Sequence, residues 1–352
     1  MLFSKKNKGF FVEVNDHSVL LARTSEAEAP FAIEEMQECS PNNSIALVEA
    51  IKRIQPKKNP SGYLPATVGI YPSKRIVRRH SLELKRLKET GYFSELLTQQ
   101  FRIDEEKYTV AVLNADDGSD YDLGNASQKD VVFAGMLNEE VITLQETLLK
   151  MGIYPERLEL GSVSTLGGIV DYLAFMKSRT PTLVLEMGSD ATQSFIVSAN
   201  GIEASRPIPQ GLDSMLSVVQ KELGLKDEES ARKLFYSNTF DFTGMGPLLI
   251  KRLLKELQSS IGFYEVQTGQ SVGQVLTTQL SPKQTWIDTA IASSLGIASL
   301  KPDTVAWLQS RQITPLTEAF ARNLAEPRWF GLLSLMVQHI APAHAAAAEE
   351  KK

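Results

Sequence analysis

A single cysteine, Cys39, stands in a chain of 352 residues. An intrachain disulfide is therefore excluded, and a reducing compartment fits that usage. Histidine is nearly as scarce. His17, His80, His339 and His344 are the four present, and their spacing does not gather metal ligands. Cys39 has no histidine nearby in the sequence to activate it, and no serine lies in a nucleophile-elbow pattern. Long apolar runs are also missing. The longest near the C-terminus, 330–337, is far too short to span a bilayer. The basic start, MLFSKKNK, leads into an apolar stretch that Glu13 interrupts, so a secretory signal is not read there. Nor is there a basic surplus. The formal net charge of -5 gives no reason to expect nucleic-acid binding. These absences predict a cytoplasmic chain with no direct membrane insertion.

What is present is ordinary globular composition, 43% hydrophobic and 22% charged, enough for one large or two medium domains with a real core. Gly9 to Thr24 reads as a hairpin turning at Asn15-Asp16. The spacing predicts a helix over 44–54, with Ile45, Val48, Ile51 and Ile54 on one face. Residues 57–61 read as a polar loop, 66–71 as a buried strand and 75–81 as a basic, β-branched edge strand. Further on, 82–100 reads as helical with a break at Gly91, 108–113 and 131–136 as strands around a polar loop, and 139–151 as a helix capped by Asn138. The C-terminal half reads mostly as helices, over 212–223, 226–236, 248–264, 286–295, 315–325 and 330–340, with one short strand at 272–276. The alanine-rich end, 343–352, reads as a disordered tail.

The most informative stretch is Thr182 to Gly201, TLVLEMGSDATQSFIVSANG. Leu183, Val184 and Leu185 lead to Glu186-Met187-Gly188; Phe195, Ile196 and Val197 resume the apolar run, and Asn200-Gly201 is a strong hairpin signal. An acid, an apolar residue, a glycine and then small hydroxylated residues can wrap backbone N–H groups around a phosphate. The same residues also suit a β-turn with no ligand.

Two hairpins, one N-terminal and one mid-chain, each open a half in which strands are followed by helices. That plan is the layout of the actin-like ATPases. The segments ATVGIYPSKRIVRRHSLEL, MGIYPERLEL, TLVLEMGSDATQSFIVSANG, IPQG and KELQSSIGFYE occur in the order and spacing of the PilM family of type IV pilus assembly. The chain resembles that family from about Gly9 to His339, and more distantly FtsA and the cytoplasmic part of GspL. The resemblance implies an α/β fold of the duplicated actin-like (ribonuclease H-like) kind with an FtsA/PilM-type inserted subdomain. It places a first subdomain at 1–77 plus 157–180, the insert at 78–156, a second actin-like subdomain at 181–225 plus 266–341, a small helical subdomain at 226–265 and the tail at 342–352.

The resemblance also implies a nucleotide cleft between the hairpins. Its matching positions are Glu13, Asn15 and Ser18 in the first hairpin, Glu186, Gly188, Ser189 and Thr192 in the second, and Gly211 in the following connector. Several departures stand out. Both acids are Glu where the family has Asp. Asp16 and Asp190 add charge where a polyphosphate would lie, a repulsion of about 1 to 4 kcal/mol at contact. The first turn is accordingly read as an ordinary hairpin with a solvated Asp16. Leu276-Thr277-Thr278-Gln279-Leu280 replaces the glycine pair that lets backbone lie against adenine, and Gly161 stands where an acid would activate water. Binding of ATP and Mg is therefore expected to be weak or lost, and no catalytic or metal-ligating residue is assigned. The implied partner is the cytoplasmic N-terminal tail of a bitopic, PilN-like inner-membrane protein. Arg75, Arg78 and Arg79 are its candidate contacts, or else a solvated basic edge that discourages strand pairing. The reading is a scaffold of a type IV pilus or type II secretion-like platform, peripheral at the inner membrane. The alternatives are an active Mg-ATP-dependent switch of the same fold and, last, a sugar-kinase-like enzyme, for which no catalytic Asp or sugar site is recognisable.

Overall fold

The computed structural model describes residues 7–55, 62–122, 128–237 and 239–338. The expected loop at 57–61, the tail at 343–352, His339 and His344 lie outside them. The strands run, in chain order, β1 (Phe10–Val14), β2 (Val19–Thr24), β3 (Phe31–Cys39), β4 (Leu64–Ile70), β5 (Ile76–Ser81), β6 (Tyr108–Asn114) and β7 (Asp130–Leu137). There follow β8 (Ile153–Leu160), β9 (Thr182–Met187), β10 (Thr192–Ser198), β11 (Gly201–Ile208), β12 (Gln274–Thr278), β13 (Ala298–Ser299) and β14 (Ile313–Pro315).

Two of the sheets repeat one design. The first has the order β14-β3-β2-β1-β4-β8 and the second β11-β10-β9-β12-β13. In each, three strands form an antiparallel meander, and the meander's first strand takes a parallel neighbour, β4 beside β1 and β12 beside β9. A parallel neighbour requires a crossover, and each half supplies helices for it. In the first half Ser44–Ile54 packs Leu47, Ala50, Ile51 and Ile54 against Val12, Leu21 and Val68. Ile45 and Val48, expected on that buried face, are 74% and 46% exposed. The 3.6-residue period was correct, but the choice between two adjacent apolar stripes is made by the sheet. In the second half Lys251–Thr268 and Trp286–Leu295 cover Leu183, Leu185 and Ile196.

Strand periodicity fixes which residues meet between the halves. On β1, Val12 faces the outer helix while Phe11 faces inward; on β9, Leu183 and Leu185 face outward while Val184 faces inward. One core runs through both halves by way of two helices, Gly161–Phe175 and Phe330–Val337, joining Phe11, Leu20 and Ile33 to Val184 and Phe195. Gly168 makes this close helix contact possible, since a Cβ there would lie 2.1 Å from Ser334 Oγ. Residues 313–315, expected in the second half, pair as β14 with β3 and so belong to the first sheet. The strand at 31–39 and the helices at 161–175 and 304–310 had no periodic signature strong enough to be read.

The third sheet, β5-β7-β6, is antiparallel and stands between β4 and β8 in sequence. One face, with Val77 and Val132, joins the central core; the other, with Ile76, Val131 and Phe133, packs under Tyr92, Leu96 and Leu97. Helix Asn138–Lys150 follows β7. Asn138 does not cap it. Its side chain accepts from Thr109 Oγ1 (2.8 Å) and donates to the Glu106 carbonyl (3.3 Å), tying the helix start to β6 instead.

Candidate functional site

Glu13 on β1 and Glu186 on β9 occupy equivalent places in the duplicated halves. Glu13 lies opposite Leu20 and Gly69 in its sheet, and Glu186 opposite Gln193 and Thr278. Alternation puts both on the inward face, and both are buried. A turn follows each, and the two carboxyl groups and the two turns meet between the halves, at the place of the implied cleft.

The second carboxylate is fully engaged on one side. Arg75, which follows β4, reaches across the cleft, and its Nη2 donates to Glu186 Oε2 at 2.9 Å. Its Nε donates to Ser162 Oγ at 2.8 Å, and Ser162 Oγ donates to the same Glu186 oxygen at 2.6 Å. The arginine side chain is 7% exposed and the glutamate 0%. Arg75 is thus turned into the cleft and is not available to a partner on the surface. It also stacks over Tyr71, 5.6 Å from the ring centroid.

The first carboxyl behaves differently. Burial, with Glu186 adding repulsion, pushes Glu13 up to about 8 against the Asn15 hydrogen bond that lowers it. It therefore holds its proton at neutral pH. Glu13 Oε2 and Glu186 Oε1 are both buried without a hydrogen-bond partner.

The turns use their own N–H groups. In the first, the backbone N–H groups of His17 and Ser18 donate to Asn15 Oδ1, each at 2.9 Å. In the second, Gly188 N donates to the Ala191 carbonyl (3.0 Å), and Ser189 N donates across the cleft to Asp16 Oδ2 (3.2 Å). Asp16 is exposed, as expected, but it bridges the halves rather than standing free in solvent. Beside it, the His17 and Tyr236 rings face each other at 5.7 Å. Thr192 Oγ1 donates to the Gln210 carbonyl at 2.6 Å, so it serves the connector. Gly211 lies directly on the second turn. A Cβ there would lie 2.2 Å from the Ser189 carbonyl oxygen and 2.5 Å from Ala191 N.

Gly161 has a comparable reason. A Cβ at this position would sit 2.5 Å from the Tyr71 ring. Tyr71 donates to or accepts from Thr165 Oγ1 at 2.9 Å, which fixes the ring in that place. No side chain, acidic or otherwise, fits there without moving Tyr71. In the adenosine region Thr277 Oγ1 donates to Asp288 Oδ1 (2.9 Å), and Gln279 adopts φ 66°, a left-handed conformation normally left to glycine.

These residues do not fit Mg-ATP. A metal needs a carboxylate not already held by another cation, and Glu186 is paired with Arg75. A phosphate needs free backbone N–H groups, and those of His17, Ser18, Gly188 and Ser189 are taken. No group of metal-ligating side chains occurs among the described residues. The engagement of Arg75, Ser162 and Tyr71 in the cleft was not readable from sequence, because no motif links Arg75 to an acid 111 positions away.

The other two arginines also settle into place. Arg78 lies opposite Phe133, on the sheet face under the helical layer, and burial lowers its affinity for the proton. Arg79 pairs with Asp130 at 3.0 Å, and its backbone N–H donates to Ser205 Oγ at 2.7 Å. A separate groove of about 490 Å³ opens between the inserted sheet and helix Gly161–Phe175. Val77, Leu113, Val132, Leu166 and Val170 line it, with Asp116 and Asp117 at its mouth.

The duplicated sheets, the crossing helices and the cleft between equivalent hairpins define an actin-like fold with an inserted third sheet. A solved structure of a PilM–PilN type IV pilus biogenesis complex matches at a TM-score of 0.67 and 14% identity, covering 95% of this chain and 99% of that one. The chain is therefore PilM-like in fold. The ethanolamine utilization protein EutJ from Carboxydothermus hydrogenoformans matches more remotely, at a TM-score of 0.47 and 10% identity over 94% of this chain and 89% of that one. No protein-family model and no curated protein matches the sequence.

Proposed function

We propose that this protein is a scaffold of a type IV pilus or type II secretion-like assembly platform. It works in the cytoplasm, peripheral to the inner membrane, by holding the N-terminal tail of a bitopic, PilN-like membrane protein. The observation that carries this reading is the apolar groove between the inserted sheet and helix Gly161–Phe175, in a fold matched along its length by a PilM bound to PilN. Its valine and leucine walls suit apolar side chains of an extended segment, and Asp116 and Asp117 suit a basic group or terminal amine entering beside them. No helix among the described residues is long and apolar enough to cross a membrane, which fits attachment through a partner.

The groove, and not the set of three arginines, is the partner site in this reading. Arg78 lies on the opposite face of the inserted sheet. A switching ATPase and a sugar-kinase-like enzyme both need a nucleotide in the cleft, and the contacts of Asp16, Arg75 and Tyr71 oppose one.

Titration of synthetic N-terminal tails of candidate bitopic proteins, encoded beside this chain, tests the proposal. Val170→Glu places a charge in the groove wall without touching the cleft. Binding by the unaltered chain and at least a tenfold loss in Val170→Glu are expected. Equal binding by both would place the tail elsewhere, and no binding of any tail would overturn the scaffold reading.

A further inference from the structure

The cleft does more than fail to fit a nucleotide. Three side-chain contacts cross it, from different elements. Arg75 joins the second half's Glu186 to Ser162 at the start of the crossing helix, buried and within 2.9 Å at each contact. Asp16 accepts from the Ser189 N–H of the opposite turn. His17 lies against Tyr236, whose hydroxyl donates to Asp213 Oδ1 at 2.8 Å, and Asp213 in turn pairs with Arg232 at 2.7 Å. Each polar contact supplies a charge of the kind a bound metal nucleotide would bring: a cation against the strand-end carboxylate, an anion against the turn N–H.

We propose that the chain carries its own cleft occupant: Arg75 stands in for the metal ion and Asp16 for a phosphate oxygen, so the two halves are clasped closed with no ligand. This rests on the reading of the cleft as nucleotide-free and goes beyond it. A cleft can be unable to bind nucleotide and still open and close. A clasp fixes the angle between the halves and with it the helix that forms one wall of the partner groove, since Ser162 lies in the first turn of the helix on which Val163, Leu166 and Val170 line that groove. A clasped chain therefore presents one groove geometry with or without Mg-ATP.

Distance measurement between spin labels tests this. Asn42→Cys and Glu229→Cys, both at exposed positions of different halves, are labelled in a Cys39→Ala background. The expected result is one narrow distance distribution, unchanged by millimolar Mg-ATP. The charge-neutral pair Arg75→Met with Glu186→Gln is expected to broaden it. Hydrogen exchange on the unaltered chain decides the case if that variant does not fold. The Ser189 amide should exchange slowly, and equally with and without Mg-ATP. An unchanged distribution in a folded variant overturns the clasp alone. Rapid exchange at Ser189 without ligand does the same. A narrower distribution or slower exchange on adding Mg-ATP to the unaltered chain overturns both the clasp and the nucleotide-free cleft.

Discussion

The two hairpins occupy equivalent positions in a repeated design, yet they bury their acids in different ways. Glu186 sits beside a guanidinium and a hydroxyl, all three out of solvent. Glu13 has one long hydrogen bond, 3.4 Å from Asn15 Nδ2, and answers burial by keeping its proton. A buried carboxyl can be paired or it can be neutral, and this chain uses one solution in each half. The asymmetry follows from a single residue. Arg75 extends from the end of the first sheet into the second half, so the first half supplies the cation and the second half receives it. Gly331 completes the arrangement, since a Cβ there would lie 2.7 Å from the Tyr71 hydroxyl and still closer to Glu13 Oε2.

The sharpest way to break the comparison is to remove the cation. Arg75→Ala leaves Glu186 buried with only Ser162 as a partner, and a loss of about 3 to 5 kcal/mol in unfolding free energy is expected. Chemical denaturation measures it. Arg75→Lys keeps the charge but cannot reach Ser162 and Glu186 in the same forked geometry, so an intermediate loss is expected. A loss below about 1 kcal/mol for Arg75→Ala would show that the pair is not what compensates Glu186.

The neutral acid predicts a pH dependence of the opposite kind. Unfolded, Glu13 ionises near 4.5; folded, it holds its proton to about 8. The unfolded state therefore releases the proton first, and stability falls as pH rises between those values. Glu13→Gln removes that dependence. The variant should match the parent near pH 4 and exceed it at pH 8 by on the order of 4 kcal/mol. Parallel stability profiles across this range would show that Glu13 is ionised in the fold, and the contrast between the hairpins would then disappear.

Much of this architecture is legible in the sequence. The hairpin at 182–201 declares itself by its two apolar runs and its turn residues, and the order of the segments points to a duplicated plan. The helix at 44–54 is legible to the residue, though its buried face is not. The cleft chemistry was legible only as a set of departures. Asp16, Gly161 and the missing glycine pair marked an altered site without showing what had taken its place. That information lies in contacts between residues 75 and 186 and between 16 and 189, which no local pattern encodes. Helix 161–175 escaped for a related reason. Its open side carries Val163, Gly167, Val170 and Ala174 while its buried side carries Ser162, Ser164 and Thr165, so hydrophobicity has little period along it.

Gly161→Ala tests whether Tyr71, rather than the backbone, excludes a side chain beside the paired acid. The added methyl meets the ring at 2.5 Å, and overpacking of this kind costs about 1 to 3 kcal/mol. Tyr71→Leu in the same chain frees that space and should recover part of the loss. If the double variant is no more stable than Gly161→Ala alone, the glycine is required for another reason.

The smallest effect belongs to Asp16, and it separates the two turns. The first turn closes through Asn15, whose side-chain oxygen serves the His17 and Ser18 N–H groups without help from the second half. The second turn leaves Ser189 N to Asp16. Asp16→Ala should therefore change global stability by less than about 1 kcal/mol, since the carboxylate is exposed and water can replace it. Amide exchange should be uneven: faster at Ser189, unchanged at His17 and Ser18. Faster exchange at all three would mean that Asp16 organises its own turn rather than the opposite one. Unchanged exchange at Ser189 would remove Asp16 from the cross-cleft contacts and leave Arg75 and the His17–Tyr236 pair to hold the halves.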